Sequence, residues 1–193
     1  MMKINSVTVY CGTSSNVDQA YKDGGRRFGE ILAQEKVRLV YGGGRAGLMG
    51  IVSDAVFSNG GLVTGVIPEH LQETEIRNTD VTELLIVDSM HTRKRVMVER
   101  SDGFVVLPGG FGTLDETFEI LTWKYIGLHD KPVVFLNTKN FYAPLLAMID
   151  HMVESGFTPF WQRNLFQVVE MPEDALPALR AQVQHIRPDI KRL

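Results

Sequence analysis

The sequence predicts an α/β protein with a mostly parallel sheet and helices on both faces. Short runs rich in β-branched residues alternate along the chain with longer stretches of helical periodicity, which is the pattern of successive βαβ units. With 193 residues, of which 44% are hydrophobic, the chain is long enough to bury one sizeable core. No internal repeat or linker-like composition divides it, so we expect a single domain over residues 1–193.

Each predicted element has its own local signal. The strands are short apolar runs that end near glycine, proline or polar residues, namely VTVYCG, VRLVYGGG, GLVTGVIP, ELLIVDS, GFVVLPGG, KPVVFLN and a short run near LFQVVE. The helices have apolar residues on one side or end at a glycine, namely VDQAYKDGGRRFGEILAQE, GLMGIVSDAVFSNG, MHTRKRVMVERS, TLDETFEILTWKYIG, APLLAMIDHMVESG and a last helix from Pro172. Residues 69–83 are polar and are expected to be irregular.

The overall composition disfavours several classes of function. The net charge is −3 and the pI is about 6.0, so neither nucleic acid nor an acidic membrane surface is an expected partner. The single cysteine, Cys11, excludes an internal disulfide and fits a reducing compartment. The N-terminal run is too short for a signal peptide, and no apolar run reaches the ~18 residues of a membrane span. We therefore expect a cytoplasmic location.

The first glycine cluster, YGGGRAGLMG, contains the pattern G-x-G-x-x-G at Gly42, Gly44 and Gly47, between a strand and a helix. Glu69 follows the next strand, as the acidic residue does in dinucleotide-binding folds. A chain of 193 residues leaves little room for the separate substrate domain of such proteins. Gly42, Gly43 and Gly44 are therefore a possible phosphate or nucleotide loop, or they only permit a tight turn and close helix packing.

The second glycine cluster, PGGFGT, is the more informative one. Pro108 ends a strand, and Gly109, Gly110 and Gly112 allow backbone N–H groups to converge without Cβ clashes. Thr113 is predicted to begin the next helix. Because a helix N-terminus has free N–H groups and a positive dipole end, this loop is expected to bind an anion such as a phosphate monoester.

Two carboxylates follow this loop and have two interpretations. Thr113 and Glu116 have the spacing of a capping box, in which Glu116 reaches back to the backbone N–H of the cap residue. Acidic residues such as Asp115 are also favoured in a first helical turn. Alternatively, because residues three apart share a helix face, Glu116 lies beside a ligand whose phosphate the loop holds.

The segment SMHTRKRVMVER concentrates Arg93, Lys94, Arg95 and Arg100 in one short helix. A solvated helix face is one explanation for such a charge run. The segment also follows a strand end, so its first turn is expected near the same sheet edge as the two glycine loops. An arginine at that edge is suited to hold a sugar hydroxyl or a phosphate with its planar guanidinium.

Together these motifs resemble the Lonely Guy family of cytokinin-activating phosphoribohydrolases. The resemblance is carried by MHTRK followed by PGGFGTLDE, and also by YCGTSS, YGGGRAGLMG and LTWKYIGLHDKPVVFLN. It implies a single-domain, three-layer Rossmann-like fold and a homodimer whose active sites lie near the subunit interface. It also implies hydrolysis of the N-glycosidic bond of N6-modified adenosine 5′-monophosphates, and of AMP, to free base and ribose 5-phosphate.

The resemblance further implies which residues act. The catalytic pair of the family falls on Arg93 and Glu116. Its nucleotide contacts fall on Lys94, Gly110, Phe111, Gly112, Thr113, Leu114, Asp115 and Thr122, and on Glu75 in the divergent segment 69–83.

These residues suit the chemistry, because cleavage of a ribosyl–purine bond passes through an oxocarbenium-like sugar. A carboxylate near C1′, such as that of Glu116, can stabilise the positive charge, orient the attacking water or accept its proton. Arg93 can grip the ribose or the phosphate and orient Glu116. No cofactor or metal is predicted, since the five histidines have no ligand-like spacing and neither Lys94 nor Lys124 has a specific case as a Schiff-base lysine.

Two other functions compete with hydrolysis. A non-catalytic nucleotide-binding module, similar to the molybdenum-cofactor carriers, would use the same glycine loops but has no need of a carboxylate at C1′. The second alternative, a dinucleotide-binding protein, would instead bind NAD(P) and be protected by it. The helix TLDETFEILTWKYIG is more apolar than one core-facing stripe requires, which fits either core packing or the homodimer seam that the resemblance favours.

Overall fold

The computed structural model describes residues 2–71 and 80–182. Its described residues form one seven-stranded sheet in which every neighbouring pair is parallel, in the order β4-β3-β2-β1-β5-β6-β7. The predicted α/β class is therefore confirmed. Each strand and helix predicted from the sequence is present, with small shifts at the ends.

The strands are β1 (Ser6–Tyr10), β2 (Arg38–Tyr41), β3 (Val63–Pro68), β4 (Glu83–Val87), β5 (Gly103–Val106), β6 (Val133–Leu136) and β7 (Gln167–Val169). The helices are α1 (Gln19–Gln34), α2 (Gly47–Ser58), α3 (Met90–Glu99), α4 (Phe111–Ile126), α5 (Ala143–Glu154) and α6 (Pro172–Ala181). Short 3-10 turns occupy Glu69–Leu71, Thr138–Asn140 and Phe160–Asn164.

The strand order reverses at β1, which pairs with β2 on one side and with β5 on the other. Val7 lies opposite Leu39 of β2 and opposite Gly103 of β5. The chain runs outward from β1 to β4 in one direction and from β5 to β7 in the other. The carboxyl ends of β1 and β5 therefore border a crevice, the usual ligand position in open parallel sheets.

Helices cover both faces of the sheet, as the alternating pattern predicts. Helices α1, α2 and α6 bury one apolar layer against it, with Phe28, Leu32, Val52, Val56, Leu176 and Leu179 at its centre. Helices α3, α4 and α5 bury the other layer, with Met97, Ile120 and Ile149 packed on Phe104 and Phe135. No helix in the described part of the chain has the length and apolar character needed to cross a membrane.

Helix α4 begins earlier than the sequence predicted. Its first residue is Phe111 and its N-cap is Gly110, without a side-chain cap. Thr113 is therefore the third helical residue, and the predicted capping box from Thr113 to Glu116 is wrong. The physical reason is that this turn folds tightly on itself: a Cβ at Gly109 would lie 2.1 Å from the Thr113 hydroxyl oxygen, and Thr113 is buried inside the turn.

His129 is one of the histidines expected to be structural, and it is buried beside α4. Its Nε2 lies 2.8 Å from the Ile120 carbonyl oxygen, and its Nδ1 accepts a hydrogen bond from the Lys131 amide at 3.1 Å. These partners require the tautomer with the proton on Nε2. Burial lowers the pKa of His129 to about 4, and the nearby charges of Lys124 and Lys131 act in the same direction.

We predict that His129 makes the protein sensitive to acid. Its folded pKa of about 4 is lower than that of an unfolded histidine, so between these values the unfolded chain binds more protons and stability falls as pH falls. Between pH 7 and pH 4.5 this difference in pKa lowers the free energy of unfolding by about 2.5 kcal/mol. Urea unfolding at pH 7 and pH 4.5 measures it, and His129→Gln should lose less stability over this interval than the parent. The matched control is His151→Gln, at an exposed histidine, and an unchanged pH dependence in His129→Gln would contradict the assignment.

Candidate active site

A cleft of about 320 Å³ opens at the carboxyl ends of β1 and β5, where the strand order reverses. Its walls come from the end of β1 with the following turn, from Gly42 after β2, from one side of α3 and from the first two turns of α4. Arg93 and Glu116 both line it. The topology therefore brings together two residues that are 23 positions apart in sequence.

Arg93 is held rigidly in the wall of this cleft. Only 5% of the residue is exposed. Its Nε donates to the Val66 carbonyl at 3.1 Å, its Nη2 donates to the Gly42 carbonyl at 2.8 Å, and its Nη1 lies 3.7 Å from the Met90 sulfur. Part of the guanidinium is thus fastened to the ends of β2 and β3, which excludes the solvated-face interpretation for this residue.

The neighbouring cations of α3 behave differently from one another. Arg95 and Arg100 lie at the surface, where they pair with Glu99 and Glu83. Lys94 is buried, and its ammonium lies 3.2 Å from an Asp115 oxygen and 3.0 Å from a Glu119 oxygen. It turns toward α4 and is not among the described residues that line the cleft.

Gly42 is required by Arg93. A Cβ at this position would lie 2.0 Å from Arg93 Nη2, so a side chain larger than hydrogen displaces the guanidinium. Gly43 has a φ of +79° and packs against Val66 and Ile67. Within the described residues Gly42 lines the cleft whereas Gly43 and Gly44 do not, so the geometry supports close packing as the role of this loop.

The N-terminus of α4 presents an anion-binding surface to the cleft. The first intrahelical bond runs from the Leu114 amide to the Gly110 carbonyl at 3.1 Å, so the amides of Phe111, Gly112 and Thr113 precede it. Such amides have no intrahelical acceptor, and the helix dipole makes this end positive. Added Cβ atoms at Gly110 and Gly112 would meet no atom within 4 Å, so the outer side of the turn is open.

The turn after β1 supports this loop from the other side of the crevice. The Gly12 amide donates to the Pro108 carbonyl at 3.0 Å, and a Cβ at Gly12 would lie 3.2 Å from Gly109 Cα. Gly12 and Thr13 both line the cleft. The two turns are thus in direct contact at the point where the strand order reverses.

Glu116 is partly buried in the cleft, close to the end of β1. Burial raises the pKa of the Tyr10 phenol well above its usual value, the charges of Glu116 and Glu119 raise it further, and the charge of Arg93 lowers it. Burial, followed by the charge of Glu116, also raises the pKa of the Cys11 thiol. Tyr10 and Cys11 are therefore neutral near pH 7, and Cys11 is not a thiolate nucleophile.

The residues named from the sequence fall into three groups. Arg93 and Glu116 meet in the cleft with Gly110, Phe111, Gly112, Thr113 and Asp115. Leu114 packs against the core, Lys94 binds carboxylates of α4, and Thr122 lines a second cleft of about 280 Å³. Glu75 lies outside the described residues.

Several residues that line the cleft were missed by the sequence reasoning. Tyr10 and the methionines Met49, Met90 and Met97 form much of its apolar wall. Apolar residues at strand and helix spacing are typical of a core, so pattern alone does not separate them from core residues. Over the described residues, no group of three or more histidine, cysteine or acidic side chains has a metal-binding arrangement.

Comparison with known structures finds the same fold in other proteins. The chain is similar to the molybdenum cofactor binding protein of Rippkaea orientalis, with a TM-score of 0.69 at 21% identity over 92% of this chain and 96% of that one. It is also similar to the molybdenum cofactor carrier protein of Chlamydomonas reinhardtii, with a TM-score of 0.69 at 18% identity over 91% of this chain and 96% of that one. At such identities the likeness shows the fold alone.

Comparison of sequences is more specific. A family model described as "Possible lysine decarboxylase" matches residues 49–179. The cytokinin riboside 5'-monophosphate phosphoribohydrolase LOG1 of Arabidopsis thaliana is 42% identical over 91% of this chain and 85% of its own length. The cytokinin riboside 5'-monophosphate phosphoribohydrolase of Rhodococcoides fascians is 44% identical over 91% of this chain and 89% of its own. Identity at this level over nearly the whole of both chains shows that the protein belongs to the Lonely Guy family, that of the cytokinin riboside 5'-monophosphate phosphoribohydrolases.

Proposed function

We propose that this protein hydrolyses the N-glycosidic bond of cytokinin riboside 5'-monophosphates, and of AMP, to release the free base and ribose 5-phosphate. The observation that carries the proposal is the cleft itself, in which Arg93, Glu116 and the N-terminus of α4 meet. The phosphoribohydrolases of Arabidopsis thaliana and Rhodococcoides fascians, at 42% and 44% identity, support the substrate class. We infer that residues 1–193 act as one nucleotide-binding and catalytic domain.

In this proposal the phosphate occupies the open end of α4. The amides of Phe111, Gly112 and Thr113 donate to its oxygens, and the helix dipole favours its charge. Fixing the phosphate also fixes C1′ of the ribose, so that binding energy far from the reacting bond is used to orient it. The apolar wall that includes Met49 and Met90 is suited to the base, since methionine adapts to irregular shapes.

Glu116 acts at the sugar. The bond between C1′ and the base nitrogen breaks, its electron pair leaves with the base, and positive charge develops on the ribose. The Glu116 carboxylate stabilises this charge and accepts a proton from the water that attacks C1′, and the departing base takes up one proton in exchange, so that the enzyme returns to its starting protonation state. Arg93, already fixed by the Val66 and Gly42 carbonyls, orients the carboxylate and the ribose without having to search for its own position.

We further propose a cytoplasmic homodimer. Phe157 and Phe160 are 86% and 74% exposed, and Phe157 lines the second cleft together with Phe118 and Tyr125 of α4. An exposed aromatic residue beside an apolar cleft can pack against the same residue and cleft of a second copy, which fits the self-complementary patch of a two-fold interface. The single cysteine, Cys11, fits a reducing compartment.

The function is tested by measuring base release from matched substrates. AMP and N6-isopentenyladenosine monophosphate are expected to release free base, whereas the corresponding nucleosides should be poor substrates because they lack the phosphate that α4 binds. Comparable kcat/KM values for adenosine and AMP would overturn the phosphate site. Binding of nucleotide without any base release would favour a carrier.

Glu116→Gln separates chemistry from folding. Glutamine keeps the shape of the side chain but lacks the charge, so kcat should fall by roughly 10²–10⁴, while KM for AMP and the melting temperature change little. Glu154→Gln, at an exposed carboxylate of α5, is the matched control and should behave as the parent. Turnover of Glu116→Gln within about threefold of the parent, ~0.65 kcal/mol in barrier, would remove Glu116 from the reaction.

Gly42→Ala should inactivate the protein through Arg93. The added methyl group would lie 2.0 Å from Nη2 and so displaces the guanidinium, and we expect kcat/KM to fall to about the level of Arg93→Ala. The double variant should be no slower than Arg93→Ala, because both changes remove the same interaction. Gly24→Ala, whose Cβ would meet only the Thr138 side chain at 3.2 Å and 3.8 Å, is the control. If the losses caused by Gly42→Ala and by Arg93→Ala instead multiply in the double variant, Gly42 acts on the substrate directly.

The proposed dimer is tested by measuring the molecular mass of the protein in solution. Light scattering should give twice 21.6 kDa for the parent and a shift toward the monomer for Phe157→Asp, which places a charge in an apolar interface. Phe57→Asp, at a half-exposed phenylalanine of α2 on the other face, should leave the mass unchanged. A monomeric parent would exclude the interface.

A further inference from the structure

Glu119 is a carboxylate of α4 that neither the sequence motifs nor the cleft includes. It is partly buried, with 23% of its side chain exposed, and its Oε1 lies 3.0 Å from the Lys94 ammonium of α3. Lys94 is buried more deeply, with 11% of its side chain exposed, and it also lies 3.2 Å from Asp115. The ammonium therefore bridges α3 and α4 at two points.

The residues of this bridge are neighbours of the two cleft residues along α3 and α4. Lys94 follows Arg93 along α3, and Glu119 lies three residues after Glu116, one turn further along α4. Arg93 is tied to the ends of β2 and β3 through the carbonyls of Gly42 and Val66. The contact between Lys94 and Glu119 therefore ties α4, which carries Glu116, to α3, which carries Arg93.

The environment favours a strong contact. Burial disfavours the charged lysine, yet its hydrogen bonds to Glu119 and Asp115 outweigh this and raise the pKa of Lys94, so the ammonium stays charged. Partly buried pairs are screened by salt much less than exposed ones. The pair of Arg95 and Glu99 is the surface counterpart, with side chains 60% and 58% exposed.

We propose that Glu119, acting through Lys94, is a positioning residue for base release, which holds the Glu116 carboxylate at the reacting carbon of the sugar. The proposal rests on the proposed function. It assigns Lys94 a role toward α4 in place of the direct nucleotide contact that the family resemblance implies. Displacement of a catalytic group by about 1 Å is enough to lower turnover up to ~100-fold, so a brace of this kind has a measurable effect on kcat.

The first measurement compares Glu119→Gln with Glu99→Gln, which makes the same change of charge at the exposed pair. For Glu119→Gln we expect kcat for AMP to fall roughly 10-fold with KM within about twofold and an unchanged circular dichroism spectrum. Glu99→Gln should match the parent in both constants. A Glu119→Gln protein whose kcat equals that of Glu99→Gln would overturn the proposal.

The second measurement is a double-mutant cycle with Lys94→Met. If the two residues form one brace, the Lys94→Met/Glu119→Gln protein should turn over no more slowly than Lys94→Met alone. Effects that multiply, with KM raised by Lys94→Met, would instead assign Lys94 to the nucleotide. If Lys94→Met fails to fold, the kcat and KM of Glu119→Gln still decide whether Glu119 is a positioning residue. A parent that releases no base would overturn the proposed function and this role together, whereas an active parent with an unimpaired Glu119→Gln variant overturns only the role.

Discussion

The two hydrogen bonds from Arg93 to the carbonyls of Gly42 and Val66 are the interaction on which the geometry of the cleft depends. They place a buried cation across the ends of β2 and β3. A buried charge is tolerated only where its donors are satisfied, so these carbonyls, the absence of a side chain at Gly42 and the packing of α3 on the sheet are mutually dependent. These contacts of Arg93 make this wall of the cleft rigid.

The reversal of strand order at β1 places the turn after β5 beside the turn after β1. Because β1 and β5 are neighbours, the turn that contains Gly12 touches the turn that contains Gly109, and α4 starts immediately beyond. The proposed reaction then divides between two kinds of group: backbone amides of α4 for the phosphate, and the side chains of Arg93 and Glu116 for the ribose. Carbonyls, amides and close turns do much of the positioning, which leaves few side chains for the chemistry itself.

The strands and helices were predictable because each has a local signal, such as the β-branched run of VTVYCG or the glycine that ends α4. The start of α4 was not, since Thr113 has the composition of an N-cap, whereas Gly110 occupies that position. The role of Gly42 was hidden for a different reason: its partner, Arg93, lies 51 residues away. The contact of Lys94 with Glu119 likewise depends on how two helices pack, which no spacing within either helix records.

The fit between Gly42 and Arg93 also limits how the sequence can vary over evolutionary time. A Cβ at position 42 has no room while a full-length arginine occupies position 93, although either change alone is a single amino-acid replacement. If a side chain is introduced at position 42, residue 93 has to become shorter or change its direction at the same time. Otherwise the protein passes through a defective intermediate. The two positions are therefore expected to change together, because the glycine is required by a residue that lies 51 positions further along the chain.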